Sequence, residues 1–163
     1  MNLVSKIIKS ANQYNAETVS AEVPANYALL ERLSKQHRQL NQQQKIIEKS
    51  NVKDNAGAIA TLKLVNQFKK NFEAHVLLEQ RELYKHLEQV CTDEKLDVVT
   101  KFRVELNGVV NQVLRFCNRY NSAQKIRQGE DSFNKDGKEI RKLVRNGSRR
   151  EERELFPIYE KLV

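Results

Sequence analysis

The chain has 163 residues and a net charge of +8, from 29 basic and 21 acidic side chains. A chain of this length forms one domain, which buries about two-thirds of its surface without the help of disulfide cross-links. With 2 prolines, 5 glycines and 2 cysteines it falls outside the loop-rich and disulfide-stapled classes. Cys91 and Cys117 have no framework spacing, which predicts a reducing, cytoplasmic location.

Several classes of function are not expected from the sequence. We expect neither a signal peptide nor a membrane span, because no apolar run approaches the roughly 18 residues that a span requires. The basic residues are spread along the chain apart from an excess over 138–153, and that stretch lacks interleaved aromatic residues, so nucleic acid is not the predicted partner. No P-loop, nucleophile elbow, dinucleotide-binding turn or paired-cysteine site is present, so an enzyme is not predicted.

The spacing of apolar residues predicts an all-α fold. Residues 1–24 read as a short amphipathic helix or arm, and residues 25–163 as the bundle domain. The helices are predicted at 25–49, 58–90, 94–120 and from 133 to the C-terminus. We expect a mobile polar loop at 121–132 and a kink at Pro157. Short connections then give an up-down-up-down four-helix bundle.

Ionisable residues interrupt the apolar stripes of these helices. His37 lies on the inward face of the first helix, and His75 and Glu79 lie one turn apart on the second. Arg103 falls in the stripe of the third helix and Glu151 in that of the fourth. A buried carboxylate is costly unless it meets a metal ion, an arginine or a proton, so the partner of Glu79 determines the function.

The chain also repeats itself weakly. Residues 79–84 correspond to 151–156 at a separation of 72, which aligns Glu79 with Glu151 and His75 with Gly147. The first and third helices correspond at a separation of 66, which aligns His37 with Arg103. The halves therefore share one plan, but only the first half carries histidines at these positions.

These residues, together with Glu-Glu-x-x-Leu-Phe-Pro at 151–157, resemble the hemerythrin-like (HHE cation-binding) family over residues 26–163. That family forms four-helix bundles that hold a non-haem iron pair. The resemblance implies one histidine on the first helix and His-x-x-x-Glu on the second, with both repeated in the second half. Here Arg103 and Gly147 replace the second-half histidines, so the implied metal site is degenerate.

This departure leads to the first hypothesis, which is that the iron pair has been lost. An arginine cannot coordinate a metal and would repel one. We expect Arg103 to lie across the core and pair with Glu79 and Glu151, with Gly147 making room for its guanidinium group. The protein would then carry no cofactor. It would act as a non-enzymatic regulatory or adaptor module for a protein partner of unknown identity.

Two alternatives remain open. His37, His75, Glu79 and Glu151 could hold a single non-haem iron or zinc ion, giving a sensor or carrier of oxygen or nitric oxide. A weaker similarity, around residues 116–120, is to bacterial anti-sigma transcription regulators of the regulator of sigma D type, although the charge of +8 argues against direct equivalence. The sequence leaves the oligomeric state open.

Overall fold

The computed structural model describes residues 27–162, with only the backbone for Tyr27. All regular structure within this range is helical. In chain order the elements are α1 (Tyr27–Glu48), α2 (Asn55–Leu78), a π-helical turn (Glu79–Tyr84), α3 (Lys85–Val90), α4 (Asp93–Arg119), α5 (Ala123–Gln128), α6 (Glu130–Arg150), a second π-helical turn (Glu151–Leu155) and α7 (Phe156–Glu160). The predicted arm at 1–24 lies outside the described residues.

Four long helices pack around one core. The helix α1 contacts α2 and α6, and α4 contacts the same two helices from the opposite corner. Because the connections between successive long helices are short, neighbours run antiparallel, and the predicted up-down-up-down bundle is confirmed. Within residues 27–162, no helix combines the length and the apolar character needed to cross a bilayer.

The turn between α1 and α2 ends in a side-chain cap. Asp54 accepts a hydrogen bond of 2.7 Å from the backbone N–H of Gly57, which satisfies one of the free donors at the start of α2. A β-carbon at Gly57 would lie 2.2 Å from the backbone oxygen of Asn51. Only glycine fits this close approach, and the cap starts α2 three residues earlier than predicted.

The segment at 121–132 is not the predicted mobile loop. It contains the short helix α5, whose first turn is capped by Ser122 through a hydrogen bond from the Lys125 N–H. Ile126 is fully buried, and α5 packs on α2. The prediction was wrong because one apolar residue among many polar ones is enough to hold a single helical turn against the bundle.

The predicted kink at Pro157 is replaced by a π-helical turn just before it. The Phe156 N–H donates to the Glu151 carbonyl five residues earlier, and the Lys85 N–H donates to Gln80 in the same way in the first half. Pro157 then falls in the first turn of α7, where a missing N–H is tolerated. The chain therefore stays helical through the proline.

One inward position of α4 differs from the prediction. Phe102 is buried where Arg103 was expected, and on α6 Val144 is buried whereas its neighbour Leu143 is only half-buried. Phe102 and Arg103 lie three and four residues after Val99, and both spacings continue the same helical face. The apolar ring of Phe102 occupies the inward position.

Both cysteines are buried and unpaired. Burial raises the pKa of both thiols, that of Cys117 to about 12, so they behave as small apolar side chains at neutral pH.

Candidate metal centre

Four ionisable side chains meet inside the bundle. His37 projects from α1 and His75 from the last turn of α2, and Glu79 and Glu151 are the first residues of the two π-helical turns. All four are buried, and Glu79 has no exposed surface. Short π-helical turns are frequent at functional sites, and here each of the two turns begins at a residue with an inward carboxylate.

The nitrogen atoms of the two histidines point toward the same carboxylate. The Nε2 atoms of His37 and His75 lie 3.4 Å and 3.1 Å from Oε1 of Glu79, and His37 Nε2 lies 3.4 Å from Oε2 of Glu151. The donor atoms of His37, His75 and Glu79 lie within 4.8 Å of one another. In the part of the chain that the structure describes, this is the one group of three such side chains close enough to share an ion.

Hydrogen bonds from a second layer orient the histidines. His37 Nδ1 lies 2.8 Å from Oε1 of Glu152, and His75 Nδ1 lies 3.0 Å from Oε1 of Gln36. Because both partners accept, Nδ1 is the protonated nitrogen of each ring when the imidazole is neutral, and Nε2 faces the carboxylates. Histidine ligands of metals are commonly held by such outer partners.

Tyr84 provides a further outer contact. Its hydroxyl donates a 3.0 Å hydrogen bond to Oε1 of Glu151, and the ring is fully buried. Sequence reasoning missed this tyrosine as well as Gln36 and Glu152. The available signal was position: two of them are adjacent to predicted ligands, and Tyr84 closes the π-helical turn that begins at Glu79.

The electrostatics of the cluster favour a positive charge. Burial lowers the pKa of His37, but hydrogen bonds to Glu151 and Glu79 outweigh this and raise it to about 10. Burial raises the pKa of Glu79, but the charge of His75 and the hydrogen bond from His37 lower it well below its usual range. Burial and the nearby Glu79 raise the pKa of Glu151 to about 7. A metal ion would supply positive charge in place of the proton on His37.

The residues of this cluster fit one metal ion. Two imidazole nitrogens and two carboxylates form a donor set that iron and zinc both accept. The Oε2 atom of Glu79 is buried and has no hydrogen-bond partner among the described residues. An unpaired buried carboxylate oxygen is costly, and coordination would satisfy it.

A second ion does not fit. Next to Glu79 and Glu151, on the side of α4 and α6, lies a cavity of about 50 Å³. Its wall there is formed by Phe102, Leu106, Val109, Val144 and Gly147, together with the polar Glu105, Ser148 and Arg150. The carboxylate of Glu105 is paired with Arg150. A β-carbon at Gly147 would meet nothing within 4 Å, so this position leaves space and offers no ligand. His86, the remaining histidine, instead stands edge-on to the ring of Tyr159.

The structure corrects the prediction for Arg103. Its guanidinium group forms an ion pair with Glu88, and 38% of its side chain is exposed. It does not cross the core to Glu79 and Glu151, and Gly147 does not make room for it. The physical reason is that a long, charged side chain at the flank of α4 reaches water at little cost, whereas burial of its charge is expensive.

Comparison with known proteins agrees with this architecture. The hemerythrin HHE cation-binding domain matches residues 28–159, and the chain therefore belongs to that family, as the sequence motifs predicted. Iron is the metal that this family binds. Neither a curated protein nor a solved structure matches the chain.

Proposed function

We propose that this chain is a non-enzymatic hemerythrin-like protein that holds one iron or zinc ion, at a site with fewer ligands than an iron pair requires. His37, His75, Glu79 and Glu151 are the proposed ligands. The observation that carries the proposal is that the Nε2 atoms of His37 and His75 both approach the buried carboxylate of Glu79. Each ring is held in this orientation by a hydrogen bond at its Nδ1 atom. A bound iron would supply one-electron chemistry, whereas zinc would supply charge alone.

The proposed role is regulatory. All four ligands are buried, so an ion held there has little access to a large substrate. The ion would link α1 and α2 to the π-helical turn before α7, and its presence would therefore stabilise the packing of three segments that are distant in sequence. A protein partner that recognises this packing would respond to the metal, and the buried, unpaired cysteines favour a reducing cytoplasm.

The competing function is a metal-free adaptor bundle, which one observation favours. His37 lies between two carboxylates and, with its pKa raised to about 10, can carry the balancing charge itself. In that case the cluster is a buried ion-pair network that fixes the register of the helices and binds no ion.

Metal analysis distinguishes the two functions. The full chain is purified without chelator, its iron and zinc content per chain is measured, and metal-depleted protein is titrated with Fe²⁺ and Zn²⁺ against a competing chelator. We expect one equivalent of metal. Saturation at about 100 times Kd should stabilise the fold by about 2.7 kcal/mol, which corresponds to a rise in Tm of about 5–10 °C.

Two results would contradict the single-ion proposal. Two equivalents of iron per chain would mean that the second half supplies ligands beyond the described cluster. Absence of binding and of any change in Tm at saturating metal would favour the metal-free adaptor.

A further inference from the structure

A second polar site lies on the outer side of His37. Between α1 and α6 runs a groove of about 150 Å³. Its lining residues are His37, Arg38, Asn41, Arg145, Ser148, Arg149 and Glu152. The groove therefore presents three guanidinium groups and one carboxylate, in addition to an amide and a hydroxyl group.

Among residues 27–162 the three arginines have no counter-ion. One helical turn before Arg145 in α6, Arg141 pairs with Glu48 of α1. In contrast, no carboxylate lies within 4.0 Å of Arg38, Arg145 or Arg149 among the residues that the structure describes. Three unneutralised cations around one concavity produce a positive potential that attracts an anion.

One of these arginines is partly desolvated. Arg145 is half-buried, and its Nε atom is buried without a hydrogen-bond partner in the described part of the chain. The hydroxyl of Ser148 lines the same wall, nearly one helical turn farther along α6. A buried guanidinium N–H without an acceptor is costly, and an anion in the groove would supply the acceptor.

We propose that this groove binds a small, free phosphoryl anion, either inorganic phosphate or the phosphate group of a soluble metabolite. Guanidinium groups match phosphate oxygens in charge and in their two-pronged geometry, and serine hydroxyls are common additional donors. The groove has room for a phosphoryl group. A membrane or a nucleic acid would need a broader basic surface.

Glu152 connects the groove with the cluster behind it. Its carboxylate accepts the hydrogen bond from His37 Nδ1 and is the one acidic group in the lining. An anion in the groove would therefore bind against the repulsion of Glu152. This gives the site a test in two directions, because removing an arginine weakens binding whereas removing the charge of Glu152 strengthens it. The proposal does not depend on a metal ion at His37.

The test is calorimetric titration of the full chain with inorganic phosphate and with pyrophosphate at low ionic strength. Arg145→Gln and Arg149→Gln should each weaken binding by about tenfold or more, since a charge-assisted hydrogen bond is lost. Lys142→Gln, on α6 but outside the groove, removes the same charge and should change affinity by less than about threefold. Glu152→Gln keeps an acceptor for His37 and should strengthen binding severalfold.

Several results would overturn the proposal. These are absence of binding at millimolar anion, equal weakening by Lys142→Gln and Arg145→Gln, and weaker binding in Glu152→Gln. Retention on phosphatidic acid vesicles without a response to free anions would identify a membrane surface as the ligand instead. Metal content is measured before and after titration, and loss of metal in place of saturable binding would also contradict a phosphoryl site.

Discussion

The two halves of the bundle have the same backbone plan and different side chains. In each half a long helix passes into a π-helical turn whose first residue is an inward glutamate, Glu79 or Glu151. One turn before it the first half carries His75, whereas the second half carries Gly147. Where α1 presents His37 to the centre, α4 presents the ring of Phe102.

The difference shows that the π-helical turns and the histidine ligands are independent features of the two halves. The π-helical turn persists in the half that lacks histidines, so it does not depend on them. Glu151 remains useful because it approaches His37 of the other half and accepts a hydrogen bond from Tyr84. Since the second half supplies no histidine, the space beside a site suited to one ion is a cavity with a largely apolar wall.

The largest expected effect is the loss of metal on removal of a first-half ligand. His75→Ala should lower metal affinity by more than the roughly 10–100-fold that loss of an outer partner costs. The matched control is His86→Ala, because this histidine contacts the ring of Tyr159 away from the cluster. Chelator competition measures the metal affinity of both variants. An equal loss of affinity in the two would contradict the assignment of His75 as a ligand and of the first half as the metal-binding half.

The second prediction converts the second half into a copy of the first. Phe102→His combined with Gly147→His should raise the metal content from one toward two ions per chain. The cavity between these positions has about 50 Å³ of space, and a β-carbon at Gly147 meets no neighbour. Elemental analysis of the variant measures the gain.

The control for this design is Arg103→His combined with Gly147→His. The repeat in the sequence pairs Arg103 with His37, but in the structure its side chain is half-exposed and directed to Glu88. We therefore expect no second ion in this variant. If the Arg103→His variant bound a second ion and the Phe102→His variant did not, position 103 and not position 102 would lie on the inward face of α4.

The third prediction concerns pH. The pKa of His37 is raised from 6.5 to about 10 and that of Glu151 from 4.5 to about 7. Each raised pKa contributes stability below its ordinary value that is lost as pH rises through the folded-state value. Metal-depleted protein should therefore become less stable as pH rises from about 5 to about 10.

Metal-loaded protein should show the opposite trend, because an ion displaces protons from its ligands and binds more tightly as pH rises. Urea midpoints across this range, with and without chelator, measure both slopes. His37→Gln should flatten the slope of the metal-depleted protein between about pH 6.5 and about pH 10. Parallel slopes for loaded and depleted protein would argue against an ion at His37.

The sequence was sufficient for the bundle and for the inward positions of His37, His75, Glu79 and Glu151. Each lies in a long apolar stripe whose spacing leaves one possible face. The sequence was not sufficient for Arg103 or for α5. Near Arg103 two adjacent residues fit the helical period, and tertiary packing selects Phe102. In α5 a single buried apolar residue, Ile126, carries no periodic signal.

The π-helical turns show a different limit. The repeat aligned residues 79–84 with 151–156, but periodicity does not reveal an inserted residue when the helix continues on both sides. Hydrogen-bond partners such as Gln36 and Glu152 were equally hidden, because a polar residue next to a ligand looks like part of the solvated face. Side-chain geometry was needed to distinguish them.

The smallest expected effect tests the corrected position of Arg103. Its ion pair with Glu88 is partly exposed, and such pairs contribute about 0–1 kcal/mol. Arg103→Ala should therefore change the free energy of unfolding by no more than about 1 kcal/mol and leave the metal content unchanged. Lys101→Ala, at an exposed site on the same helix, is the control. If the guanidinium group instead neutralised Glu79 and Glu151 in the core, its removal would cost about 3–5 kcal/mol. Urea denaturation readily separates these values, because the larger loss would remove a substantial part of the stability of a domain of this size.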